Sequence, residues 1–358
     1  MHSNNTTHTF HIPVMGTGYT IDTPVKVAHY GIDSVISIVD HMLIDRFREF
    51  HSLKFKGSYN VIPDDDPDYR AMVITSYLNL VNEIVADKFE RLKNSPFEPG
   101  SEITRYFELL PEYSTLKQDY YRMLDLNGPD LKSEQDSLRM LIKPGAVDVN
   151  IMTKIDKVNY STNNEPLPVE YNDAHASLRG FAKSNLHSSV VLSAGMNPRL
   201  YSYMASFDDF YPDESGFQKK KIILKVSDYR SAMIQGKFLA KKGLWISEYR
   251  IESGLNCGGH AFATDGFLLG PILGEFKVNR EQLLRSLFDI YSAALKSINR
   301  HVPTAVPVTR ITVQGGVGTS TEHEFLREFY EVDSVGWGSP FLLVPEVTNV
   351  DKDTLKLL

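Results

Sequence analysis

With 358 residues, 42% of them hydrophobic and 23% charged, the chain has apolar material for one large α/β domain or two ordinary ones, and its mixed pattern excludes a disordered or fibrous protein. A formal charge of -7 argues against general nucleic-acid binding, because phosphate contacts need clustered Lys and Arg. The lone cysteine, Cys257, excludes an intrachain disulfide and a multi-cysteine metal centre, so a reducing compartment is the simplest home.

The N-terminal "MHSNNTTHTFHIPV" lacks the basic region and apolar core of a signal peptide, and no apolar run reaches the length of a membrane span. A cytoplasmic protein with no membrane partner is the resulting expectation. Within this stretch His8 and His11 read as part of a polar arm. The first unit, "FHIPVMGTGYTIDTPVKVAHYGIDSVISIV", reads as an apolar strand, a Gly-rich turn, a short helix opened by Asp22 to Pro24, and a second strand after Gly31. Pro24 suits a first helical turn and Gly31 a helix end.

From His41 to about Gly145 the pattern turns helical, with amphipathic runs such as "YRAMVITSYLNLVNEIVADKFERL" and "SEQDSLRMLI" and polar links such as "IPDDDPDY". This predicts a helical insertion and divides the chain into 1–56 (start of a barrel), 57–145 (insertion) and 146–358 (remainder of the barrel). Asp64 to Asp66 lack calcium-loop spacing and read as a solvated loop.

After the insertion, strands and helices alternate. "VDVNIMTKI", "SVVLSAG", "KKIILKV", "LWISEYRIES", "VTRITVQGG" and "VDSVGWGS" read as strands. Between them stand the helical segments "YNDAHASLRGFAKSN", "PRLYSYMASF", "SDYRSAMIQGKFLAKKG", "NREQLLRSLFDIYSAALKSINRH" and "STEHEFLREFY". The basic run "QKKKIILK" reads as a solvated strand edge. Eight continuous apolar strands alternating with amphipathic helices predict an α/β fold, a closed (β/α)8 TIM barrel with a helical insertion after the second strand. The last segment, "PEVTNVDKDTLKLL", starts a helix and stops without an ending signal, as in a truncated chain.

Barrel chemistry collects at the C-terminal ends of strands, so the residues there are the candidates. Met15, Gly16 and Thr17 follow the first strand, Asn150 ends the third and Lys225 the fifth. Gly258, Gly259 and His260 follow the sixth, Gly315, Gly316 and Val317 the seventh, and Gly336, Gly338 and Ser339 the eighth. Glycines after the last two strands let backbone N–H groups approach an anion, and a helix N-terminus beside each adds a favourable dipole, so a phosphate is expected there. No spaced His and carboxylate cluster appears, and no metal is expected.

These motifs resemble, in order, those of the nitronate monooxygenase (2-nitropropane dioxygenase-like) family and, more distantly, the flavin-dependent enoyl-acyl-carrier reductases. "IPVMGTGYTIDTPVKVAHYGID" is similar to the family's Pro-Met-Gly turn and following helix, and "VDVNI" to its "FGVNL". "AGMNP" stands for "GxPP", "SGLNCGGH" for "QGxEAGGH", "VQGGV" for "AAGGI", and "SVGWGSPFLL" for "GVQMGTRFL".

The resemblance implies an FMN-dependent oxidoreductase on a TIM barrel. It places Met15, Gly16 and Asn150 by the ring or ribityl chain, and Gly259, Gly315, Gly316, Gly338 and Ser339 around the phosphate. Thr17, Gly258, Val317 and Gly336 complete the set. His260 falls on the family's signature histidine, where an imidazole titrating near neutrality would be the acid or base. Lys225 is a second catalytic candidate, a cation able to stabilise an anionic reduced flavin. Ser253, Asn256 and Cys257 depart from the signature, which there has Gln, Glu and Ala. The substrate would be a small or carrier-linked organic molecule. Two other readings stand beside this one: an enoyl reductase-like component of a lipid or polyketide pathway, and a flavin-binding barrel serving as an interaction module, with the insertion contacting a protein partner or a second copy.

Overall fold

The computed structural model describes residues 7–16, 18–161, 163–193, 195–252, 268–344, 346–347 and 352–357. Eight parallel strands close into a barrel in chain order: β1 (Phe10–Ile12), β2 (Asp33–Ser37), β3 (Val147–Met152), β4 (Ser188–Ser193), β5 (Lys220–Val226), β6 (Ile246–Ile251), β7 (Arg310–Gln314) and β8 (Ser334–Gly336). The ladder closes where His11 of β1 lies opposite Gly336 of β8. A register shift between β5 and β6 leaves Ser247 without a strand partner, and its hydroxyl donates to Ile222 O at 2.8 Å. This is the bulge by which one strand takes an extra residue.

The helices are α1 (Thr23–Val27), α2 (His41–Lys56), α3 (Tyr69–Asn94), α4 (Glu102–Glu108), α5 (Thr115–Leu124), α6 (Gly128–Leu141), α7 (Asp173–Lys183), α8 (Pro198–Met204), α9 (Tyr229–Ala240), α10 (Leu269–Ser297), α11 (Ser320–Phe329), α12 (Ser339–Leu342) and α13 (Lys352–Leu357). Among the described residues no helix is long and apolar enough to cross a membrane. Gly31 caps the first βα unit at φ 78°, a left-handed conformation that costs glycine little. Alternate strand residues such as Ile36, Val149, Val190, Leu192, Ile222 and Leu224 face outward into one large core shared with the helices.

The long stretch between β2 and β3 divides in two. Helix α3 buries Val73, Ile74, Tyr77, Leu78, Val81 and Ile84 at three- and four-residue spacing in the barrel's own outer core. It is pinned there by the Tyr77 hydroxyl, which donates to Ile21 O at 2.8 Å. Gly180 lets α7 come close, since a Cβ there would stand 2.8 Å from Ile74. Helices α4 to α6 instead close a satellite core with the far end of α3, in which Phe89, Leu92, Tyr106, Phe107, Tyr120 and Leu138 pack together.

Three sequence expectations change. Lys220 in "QKKKIILK" is fully buried, its ammonium donating to Ser184 O, Ser184 Oγ and Leu186 O and lying 4.3 Å from the Phe181 ring centre, so this lysine is not solvated, whereas Lys221 beside it is exposed. A closed barrel has no strand edge to solvate. His8 and His11 are likewise buried; His11 belongs to β1 itself, and His8 is paired with Tyr30 O at 3.1 Å. Finally, α10 starts at Leu269 rather than Asn279, because Pro271 falls in the first turn, where no intrahelical donor is required of it.

Candidate functional site

The C-terminal ends of the strands form one mouth, and its floor is apolar. Val35, Val191 and Ile223 alternate with the outward-packing residues of β2, β4 and β5, so they meet inside the barrel, and Val14, just past β1, packs against them. Beside this floor, Ser37 and Asn150 are opposite one another in the β2–β3 ladder. Both are buried, and the Ser37 hydroxyl has no hydrogen-bond partner among the described residues.

Across the floor, Lys225 at the end of β5 pairs with Glu252, which extends the β6 ladder by donating its backbone N–H to Val226 O at 2.9 Å. The Gln314 carboxamide, at the end of β7, donates to the other Glu252 oxygen at 3.2 Å. Lysine and glutamate are partly exposed, at 25% and 13% of their side chains. A partly exposed cation at a strand tip can meet a ligand while its counter-anion stays hydrogen-bonded to the next strand.

Deeper in the barrel lies a charged layer. Glu248 pairs with Arg250 at 2.7 Å and with Arg310 at 3.5 Å, and accepts from the Thr312 hydroxyl at 2.6 Å. Burial would raise the Glu248 carboxyl, but the two guanidinium groups outweigh it and hold the pKa at about 2. Asp148 is raised by burial to about 6, against the opposing pull of Arg250. Burial also raises Asp33, whose oxygen accepts from Ala146 N. Burial, reinforced by Arg250, keeps His11 well below the ordinary imidazole value, so it sits neutral with Nδ1 3.1 Å from Ser334 Oγ.

The glycine tips stand side by side. Gln314 and Gly336 are register partners in the β7–β8 ladder, so the residues after them leave adjacent strands. Gly315 and Gly316 adopt φ of 88° and 73°, a left-handed pair that only glycine accepts without strain. Gly338 faces the first strand's loop: a Cβ there would be 3.7 Å from Pro13 and 3.8 Å from Met15. Met15 and Phe341 of α12 both pack against the small core that contains Ile12 and Val347. Gly336 has a different task, because a Cβ on it would lie 2.6 Å from Gln314 Cβ and 2.8 Å from His11 Nε2, so it is a packing glycine of the barrel interior.

The expected anion-binding dipole after β7 is already spent. Glu322 of α11 accepts from the backbone N–H of Gly318 at 2.8 Å and of Thr319 at 3.0 Å, while Thr319 Oγ1 caps Glu322 N. This capping box fills the helix N-terminus with a carboxylate. A phosphate here must use the glycine backbone before it. The short α12 offers too few turns for a dipole to count.

The fold therefore brings Met15, Gly16, Asn150, Lys225, Gly315, Gly316, Val317, Gly336 and Gly338 to strand ends of one barrel face. Gly16 turns at φ 147°, its carbonyl accepting from the Thr20 hydroxyl at 2.7 Å. Ser339 opens α12. Thr17, Cys257, Gly258, Gly259 and His260 lie outside the described residues. Sequence reasoning missed Glu252, Ser37 and the apolar floor. The signal for Glu252 was present, since Glu248, Arg250 and Glu252 alternate within an otherwise apolar strand, the spacing of one inward face. Comparison with known proteins finds no protein family that matches this chain and no curated protein of significant similarity.

Proposed function

We propose that the protein is an FMN-dependent oxidoreductase whose site is the barrel mouth, acting on a small or carrier-linked organic molecule. The observation that carries the reading is the arrangement at the rim: the left-handed Gly315–Gly316 tip next to Gly338, with an apolar floor and the Lys225 cation across from them. The residues present suit a flavin nucleotide. A flat ring needs an apolar bed such as Val14, Val35, Val191 and Ile223, with polar contacts of the kind Ser37 and Asn150 offer. Its phosphate needs backbone donors without a Cβ in the way, which Gly315, Gly316 and Gly338 supply.

FMN, when bound, supplies the redox chemistry. In this reading His260 takes a proton from the substrate carbon next to an electron-withdrawing group, the general-base role open to an imidazole. Lys225 favours negative charge that develops near it once it turns from Glu252, which Gln314 retains. The likeness of "SGLNCGGH" and "SVGWGS" to nitronate monooxygenase motifs supports the same assignment.

The inserted helices expose Leu124, Met140 and Leu141, which favours a protein contact there as a second role. The test of the main reading is flavin uptake. Purified protein, or protein incubated with FMN and desalted, should show flavin absorbance at one equivalent per chain; a colourless protein that retains none rejects it. In flavin-loaded protein His260→Ala should keep the cofactor and lose turnover.

A further inference from the structure

Lys225 is the one described cation among the strand-tip residues named above, and it is already neutralised by Glu252. Two features make this pair exchangeable rather than a permanent strut. Both side chains retain access to solvent, at 25% and 13%, so neither is sealed inside the barrel. Glu252 also keeps a second partner, the Gln314 carboxamide at 3.2 Å, so it retains a hydrogen bond and contact with water when Lys225 turns away. By contrast the Glu248–Arg250 pair deeper in the barrel is sealed, with 4% exposure on each side, and is structural.

Resting on the mouth being the active site, we propose that Glu252 is a resident counter-anion that sets the charge specificity of the site. An organic ligand bearing its own carboxylate replaces Glu252 on Lys225, while a neutral ligand of the same shape finds the lysine occupied. Gln314 retains the displaced Glu252 by its hydrogen bond, and the partial exposure of that carboxylate lets water screen the charge it keeps. Glu252 is in this sense a positioning residue, acting on the ligand through Lys225.

Equilibrium dialysis of the full chain with benzoate and with benzamide, its neutral counterpart, tests this at fixed ionic strength. Benzoate should bind more tightly than benzamide. Glu252→Gln, which removes the competing anion and keeps the Gln314 contact, should tighten benzoate by about fivefold to tenfold and leave benzamide unchanged. Lys225→Met should erase the preference and Lys225→Arg should keep it, with circular dichroism confirming that each variant is folded. Equal affinity for the two probes, failure of Glu252→Gln to tighten benzoate, or a preference that survives Lys225→Met each overturns the proposal. FMN uptake by the same samples separates the two claims. Yellow protein whose benzoate affinity ignores Glu252→Gln defeats the counter-anion alone, whereas colourless protein with the full charge preference defeats the flavin reading alone.

Discussion

Gly336 and His11 face each other across the closing seam of the barrel, and a methyl group on the glycine would come within 2.8 Å of the imidazole Nε2. The same methyl would stand 2.6 Å from Gln314 Cβ, in an interior where neither neighbour has room to retreat. Gly336→Ala should therefore destabilise the protein by about 1–3 kcal/mol, the usual cost of overpacking. Urea denaturation measures it, and an unchanged midpoint would mean that the seam opens more easily than its packing indicates.

The left-handed pair at the β7 tip gives a separable result. Gly315→Ala and Gly316→Ala should each cost about 1–2 kcal/mol through backbone strain. They should also lower FMN retention, because the added methyl crowds the backbone donors. Gly318→Ala, beside the Glu322 cap and in no left-handed turn, is the control that should keep both stability and flavin. Equal flavin retention in all three would detach the phosphate from this tip.

Acid should loosen the fold from pH 6.5 downward. Burial lowers His8 to about 4 and His29 to about 3, so both stay neutral in the folded chain while the unfolded chain takes up their protons. A base with a depressed folded value contributes stability above its unfolded pKa and loses it as pH falls, at roughly 1.4 kcal/mol per unit of pKa difference. Asp148 works the other way, because its raised value of about 6 makes the folded state hold a proton that the unfolded state has lost, and it recovers some stability between pH 6 and 4. The depressed histidines, His8, His11 and His29, outweigh the raised aspartates, Asp148 and Asp33, so the thermal midpoint should fall between pH 6.5 and 4.5. The fall should shrink in His29→Gln, and an unaltered slope there would remove His29 from the account.

Alkaline conditions should do the opposite through Lys220. Burial brings its ammonium down to about 7, so above that pH the folded state sheds a proton that the unfolded chain keeps up to its ordinary value. Stability from this group rises between pH 7 and about 10, by at most about 1.4 kcal/mol per pH unit. Lys220→Met should flatten that rise while lowering stability at pH 7, since Ser184 O and Leu186 O lose their donor. Denaturant midpoints across the range decide it.

Much of the barrel was legible in the chain because its strands and helices are local statements. Continuous apolar runs such as "KKIILKV" have only one use in an α/β chain, burial on both faces of a parallel sheet, and Asp228 and Gly243 mark the bounds of α9 by the side-chain cap and left-handed turn they form. The strand-end glycines were legible too, as residues whose backbone must turn where no Cβ can follow. What stayed hidden was every pairing across the barrel. Nothing near Lys225 in sequence announces Glu252, nothing near His11 announces Ser334, and the run that holds Lys220 looks solvent-facing until Ser184 and Leu186 are brought beside it.

The sequence by itself determined the order and type of the elements and the kind of residue at each strand tip, because periodicity and turn chemistry act within a few residues. Tertiary structure alone decided which charges neutralise one another and which glycine serves packing. It also decided that the Glu322 carboxylate already occupies the expected anion site on α11. Those outcomes depend on distances across a closed barrel, where closure brings residues hundreds of positions apart into van der Waals contact and strips them of the water that would otherwise screen them.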